Sequence, residues 1–177
     1  HSASIIKRID ATTIRYFKTE ENDHSVVKEI LLPDKNDEKY KYIKGAMEAY
    51  PEIYFSRMVV LGEGESEQIV IPYMLEKVYE NADVLGISIA PLGGRHVNFF
   101  WKLLNELNIP YITLLDLDRE RYGGGWGRIK YVIEQLLHIG INENELLLKR
   151  DGTVLSREKL QEMHNWDVDS KVELNYW

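Results

Sequence analysis

Residues 111–130, YITLLDLDRERYGGGWGRIK, decide how the chain is read. Tyr111, Ile112, Thr113, Leu114 and Leu115 form a short apolar and β-branched run that ends abruptly in Asp116 and Asp118. A buried parallel strand has this appearance when it surfaces at its carboxyl end. Alternate strand residues share a face and lie about 7 Å apart, so the pleat predicts two carboxylates converging on one cation. Gly123, Gly124, Gly125 and Gly127 then read as a loop free of Cβ constraints, and a helical pattern restarts at Arg128. Strand, acid pair, glycine loop and helix together outline a site.

The 177 residues allow one domain of ordinary size and part of a second. A formal charge of -7 argues against a surface given over wholly to nucleic acid, yet it is compatible with acidic metal ligands beside a local basic patch. There is no cysteine, hence no disulfide framework and no thiolate metal site. No apolar run spans a bilayer and no signal peptide opens the chain, so the expectation is a cytoplasmic protein without a membrane partner. The chain starts at His1 rather than at methionine, which reads as a piece of something longer.

Upstream, TTIRYFK and SVVKEILL read as two short strands around a polar turn, too few to fold alone. Tyr42, Ile43, Ala46, Met47 and Tyr50 have helical spacing before Pro51, which gives a connector helix and a boundary near Ile53. From Phe55 three strand–helix units follow. Met58, Val59, Val60 and Leu61 make the first strand, and its helix is apolar at Ile69, Val70, Met74, Leu75 and Val78. LGISIA, residues 85–90, is the second strand, followed by PLGG and a helix with Phe99, Leu103, Leu104 and Leu107 in its stripe. The third is the opening stretch with GRIKYVIEQLLHIG. Successive units with short connections predict a parallel sheet covered on both faces. Beyond Gly140 the pattern supports a hairpin turned at Asp151-Gly152 and a short helix capped by Ser156.

In such a sheet ligands bind beyond the carboxyl ends of the strands. The first strand ends in LGEGESE, the second in PLGGR and the third in DLD. Glu63, Glu67, Asp116 and Asp118 meet on one rim if strands one and three are neighbours. Four carboxylates in a partly dry cleft repel one another, so a divalent cation is required, and oxygen-only donors point to Mg²⁺ or Mn²⁺. Each acid also has a plainer role. Glu67 in a first helical turn is favoured by the macrodipole, and aspartates are common in turns. Arg95, at a helix start, and Arg119, Arg121, Arg128 and Lys130, flanking the acids, are the candidates for holding phosphates, although surface charge is the commoner role. The five histidines lack ligand spacing, and Trp101 and Trp126 read as packing. LGEGESE does not satisfy GxGxxG, and no Walker A motif occurs.

Taken together, VVLGEGESE, PLGGR and LLDLD resemble the TOPRIM domain of the OLD (overcoming lysogenization defect) family of ATP-dependent nucleases, over roughly residues 55–140. The resemblance implies an α/β, Rossmann-like TOPRIM fold, a central parallel sheet flanked by helices, with a small N-terminal strand and helix segment. HSASI resembles the histidine switch loop near the end of that family's ABC-type ATPase. Residues 1–52 are then expected to be the ATPase tail with a connector helix, and residues 53–177 a TOPRIM domain incomplete at its C terminus. Carried over, Glu63 and Glu67 serve a metal or act in acid/base work, and Asp116 and Asp118 bind metal, two Mg²⁺ or Mn²⁺ ions in all. The implied substrate is DNA, cut in DNA processing or phage defence. The implied partners are the ATPase domain of the same polypeptide, through which ATP acts, a second copy joined through that ATPase, and a helicase. The family's further downstream acidic motif and lysine have no match here, which implies a piece that binds metal and cuts weakly or not at all.

Two rivals stand beside this reading. A haloacid-dehalogenase-like phosphohydrolase also uses a strand ending in DxD, but that family places it on the first strand, and here it is on the third. The other rival is a degenerate TOPRIM module that binds metal or a partner without catalysis.

Overall fold

A computed structural model of the chain describes residues 3–10, 13–19, 24–29, 34–36, 38–91, 97–169, 173 and 176. These fall into two compact units, His1–Leu115 and Asp116–Trp177.

The first unit opens with helix α1 (Ala3–Ile6) and an antiparallel hairpin, β1 (Arg15–Thr19) and β2 (Ser25–Glu29), in the register Arg15↔Glu29 to Thr19↔Ser25. The two short strands expected from composition are therefore present, and the Arg15–Glu29 ion pair at 3.1 Å joins their ends. Helix α2 (Glu38–Ala49) turns Met47 into the core, and Pro51 then starts a 3-10 turn, Pro51–Phe55, that buries Ile53 and Tyr54. Proline suits that place because its missing N–H is one that a helix start leaves unpaired in any case.

The sheet of this unit is parallel, in the order β4-β3-β5. Strand β3 (Met58–Gly62) lies in the middle and is buried from Val59 to Gly62, which is why it reads as an unbroken apolar run rather than an alternating one. It pairs with β4 (Ile87–Pro91) from Met58↔Ile87 to Gly62↔Pro91, and with β5 (Tyr111–Thr113) from Val59↔Tyr111 to Leu61↔Thr113. Helix α3 (Glu65–Val78) connects β3 to a single-turn helix α4 (Ala82–Leu85) and β4; helix α5 (Val97–Leu107) connects β4 to β5. The TOPRIM-type architecture of a central parallel sheet flanked by helices is what the structure contains.

Helix α5 supplies more buried side chains than any other element of this unit. Val97, Phe100, Trp101, Leu103, Leu104 and Leu107 recur at three- and four-residue spacing and are all buried. Trp101 also donates its indole N–H to Thr113 Oγ1 at 2.7 Å, which fixes α5 to β5. Two expectations need correction. No residue of α3 is fully buried, and Ile69, Val70, Met74 and Val78 are exposed while Leu75 is half-buried. Its apolar residues lie on nearly every side of the helix, so periodicity did not single out the side that packs. Strand β5 is also shorter and less buried than the run 111–115 implies. Among the described residues it bonds only to β3, and Ile112 is exposed, as is Leu114 just beyond the strand.

The second unit has its own core of Trp126, Ile133, Leu147, Leu155, Leu160 and Met163. Helix α6 (Trp126–His138) starts two residues earlier than the sequence pattern suggests, because Trp126 is buried as its first residue. A one-turn helix α7 (Glu143–Leu146) is capped by Asn142, and helix α8 (Arg157–Glu162) by Ser156, whose hydroxyl accepts from Lys159 N. The hairpin expected at Asp151-Gly152 is a single antiparallel bridge, Leu148↔Val154. Its turn is held by Asp151, which accepts from Thr153 N at 2.9 Å and from Thr153 Oγ1 at 2.6 Å. These bonds from Thr153 pull the Asp151 carboxyl down to about 2. No helix among the described residues is long and apolar enough to cross a membrane.

Candidate metal centre

The parallel register brings Gly62 beside Pro91 and Leu61 beside Thr113, and Leu114 N bonds Leu61 O at 2.9 Å. The carboxyl ends of the three strands of the parallel sheet therefore form one edge, where α/β sheets take their ligands. Glu63 follows β3 immediately and is half-exposed.

Glu67, four residues on, is placed by glycine. A Cβ on Gly62 would lie 2.8 Å from Glu67 Cβ and 3.0 Å from its Cγ, so only glycine lets the glutamate stem rest against the strand tip. Gly64 is extended, with φ -139° and ψ -179°, and caps α3. Its N–H donates to Glu67 Oε2 at 2.7 Å, and Ser66 Oγ donates to Oε1 at 3.3 Å. These donors, the Gly64 N–H foremost, hold the Glu67 carboxyl below its ordinary value. Glu67 is thus ionised and oriented by the start of its own helix, and capping is one function it performs whatever else it binds.

Asp116 and Asp118 belong to the second unit. Since β5 ends at Thr113, both acids lie beyond the strand, and the alternation of a pleated strand does not govern where they point. Asp116 is exposed. Asp118 has φ +50°, a left-handed conformation that aspartate tolerates better than most side chains. It starts a tight double turn. Arg121 N bonds Asp118 O, and Gly124 N bonds Arg121 O, each at 2.9 Å, while Gly125 N closes the base on Leu117 O at 2.7 Å. A Cβ on Gly124 would fall 1.7 Å from the Asp118 carbonyl oxygen. The glycine run is therefore a requirement of close backbone approach rather than a slack tether. Asp118 Oδ1 already faces a cation, the Arg121 guanidinium at 3.4 Å.

The basic residues divide. Arg119 pairs with Asp169, beside an open cleft lined also by Glu120, Trp166 and Asp167. Lys130 donates to Gln161 O and Oε1, each at 3.0 Å, and lies 3.8 Å from Glu134, so its ammonium ties α6 to α8. Arg128 is half-buried in the first turn of α6. Arg95 lies outside the described residues. Trp101 and Trp126 are buried in their respective cores. Sequence reasoning gave Tyr122 no role, yet it stands fully exposed at the tip of the acid-bearing turn; its place between Arg121 and Gly123 was the available signal.

As donors, these four carboxylates suit a hard divalent cation, and Asp118 demonstrably accepts positive charge. Among the described residues, however, no three histidine or acidic side chains stand close enough together to hold an ion. Residues 54–118 match the family model for the overcoming lysogenization defect protein-like TOPRIM domain, a match that encloses Glu63, Glu67, Asp116 and Asp118. Among curated proteins none matches. TOPRIM domains are typically metal-dependent modules of nuclease and topoisomerase type.

Proposed function

We propose, from the premise that residues 54–118 form an OLD-like TOPRIM domain, that this chain is the DNA-cutting module of a metal-dependent endonuclease. The observation that carries the reading is the strand order. The acid-tipped β3 is central and its parallel neighbour β5 leads into the DxD, so both motifs of the matched family follow adjacent strands. In this reading Glu63, Glu67, Asp116 and Asp118 hold Mg²⁺ or Mn²⁺, two ions in the family's usual arrangement. Bound there, the metal would lower the pKa of a water and stabilise the leaving oxygen of a phosphodiester. The chain's own contribution is to keep Glu67 ionised through Gly64 and Ser66, and to hold Asp118 in a fixed turn. Arg119, Arg128 and Lys130 are assigned to phosphate and DNA, with Arg95 on the same reading. Residues 1–52 form the ATPase tail and connector, with control by ATP, self-association through the ATPase, a helicase partner, a cytoplasmic location and a setting in DNA processing or phage defence.

A second reading, a TOPRIM module that assembles without cutting, is favoured by one observation, the absence of three gathered acids among the described residues. Plasmid nicking separates the two. The full-length parent, given supercoiled DNA with Mg²⁺, Mn²⁺ or chelator, is compared with Glu63→Gln, Asp116→Asn and Asp118→Asn. Asparagine is the right replacement at position 118 because it too accepts a positive φ. Metal-dependent nicking lost in all three supports the nuclease. An intact plasmid under both metals overturns it in favour of the assembly module, or of the phosphohydrolase if a small phosphate ester is hydrolysed instead.

A further inference from the structure

Tyr122 has a relative exposure of 109 %. It stands between Arg121, whose side chain is 80 % exposed, and Gly123, in a turn closed by the bonds Arg121 N to Asp118 O and Gly124 N to Arg121 O. A single exposed aromatic residue needs no explanation by itself. Here three further facts accompany it. The turn is pinned at its base by Gly125 N on Leu117 O, and its Gly124 admits no side chain, so the ring is presented on a backbone that is already ordered. The adjoining Arg121 reaches no anion in this turn other than the Asp118 carboxylate, at a loose 3.4 Å. The turn also begins on Asp118, a residue of the proposed metal centre, four residues before Tyr122.

We propose that Tyr122 is a stacking post for an unpaired DNA base beside the scissile phosphate, with Arg121 taking the adjoining phosphate. The inference rests on the DNA-nuclease reading and adds the form of the substrate: a strand locally opened or single-stranded. Base–aromatic stacking is indifferent to base identity and is lost when the ring is removed. A guanidinium exchanging a carboxylate for a phosphate contributes affinity that salt weakens.

The test is fluorescence anisotropy of the chain with a labelled oligothymidylate of about 12 nucleotides and with its abasic counterpart, both in Ca²⁺ to hold cleavage back. Tyr122→Ala and Tyr122→Leu are expected to bind the thymidylate about 5- to 150-fold more weakly, and Tyr122→Phe to bind as the wild type does. The wild type should bind the abasic strand as weakly as Tyr122→Ala binds the thymidylate. Arg121→Gln should reduce the slope of log K against log salt by about 0.7 and leave the base-to-abasic ratio unchanged. Wild-type affinity in Tyr122→Ala, in a chain that still binds DNA, overturns the stacking role alone. Failure of the wild type to bind either strand also overturns the stacking role, while the nuclease reading falls only if supercoiled plasmid stays intact under both metals as well. A lowered thermal midpoint in Tyr122→Ala also overturns the inference, since it shows that the ring packs against protein.

Discussion

Replacing Gly124 by alanine tests whether the glycine run shapes the site or merely spans a gap. The new Cβ would sit 1.7 Å from Asp118 O, whereas real Cβ atoms essentially never approach closer than 3.0 Å, so the backbone must open by more than an ångström. A displacement of that size breaks Arg121 N to Asp118 O and Gly124 N to Arg121 O, which at about 0.5–1.5 kcal/mol each amounts to about 1–3 kcal/mol. Gly123→Ala is the control. It has φ +77° and nothing within 4 Å of its Cβ, so the cost is the left-handed conformation alone, about 1–2 kcal/mol. The two variants should therefore lose similar stability, about 2–4 °C in thermal midpoint per kcal/mol for a chain of this size. They should differ at Asp118. Gly124→Ala is expected to speed amide exchange at Arg121 and Gly124 and to weaken Mn²⁺ binding in calorimetry at least about tenfold, which is about 1.4 kcal/mol; Gly123→Ala should do neither. Equal amide exchange in the two variants would refute the argument from close approach, independently of whether metal binds.

Thr113→Val removes the acceptor of the Trp101 indole N–H while keeping the β-branched shape, and should destabilise the first unit by about 1–3 kcal/mol, read by urea unfolding; a shift below about 0.5 kcal/mol would mean that the indole has another acceptor. Glu67 and Asp151 both have carboxyls held below their ordinary values. A depressed folded pKa contributes stability that is fully present above the unfolded pKa and is lost as pH falls through the folded one. For Asp151 that window runs from 3.8 down to about 2, and for Glu67 it begins at 4.5. The difference in unfolding midpoint between wild type and each of Glu67→Gln and Asp151→Asn should therefore be smaller at about pH 3 than at about pH 6; a constant difference across that range would show that these carboxylates contribute nothing through ionisation.

The sequence is most legible where one physical demand dominates and least where two demands select the same residue. Val59, Val60 and Leu61 are a buried central strand, as their unbroken apolar run suggests, and α5 packs through Leu103, Leu104 and Leu107 of the expected stripe, whereas Phe100 is buried and the expected Phe99 is only half-buried. The run 111–115 is also largely apolar, yet its strand, Tyr111–Thr113, is an edge strand among the described residues. Composition reports apolar area; it does not report how many neighbours share it. The helix α3 shows the converse, with apolar residues on so many sides that no stripe is singled out. At the site the ambiguity is chemical. A glutamate three residues into a helix is what a cap requires and also what a metal requires, and Glu67 performs the first through the Gly64 N–H while remaining ionised, the state the second demands. Capping and the proposed metal role are therefore compatible rather than exclusive, since the donors that orient the carboxylate for capping also favour its ionised form. Asp118 repeats the logic in a turn. Aspartate is tolerated at φ +50° because its short polar side chain suits that conformation, and the same conformation, locked by Gly124, fixes where its carboxylate is presented. Capping and turn chemistry thus order Glu67 and Asp118 without a cation, and it is their place after adjacent parallel strands, rather than their local chemistry, that motivates the proposed metal role.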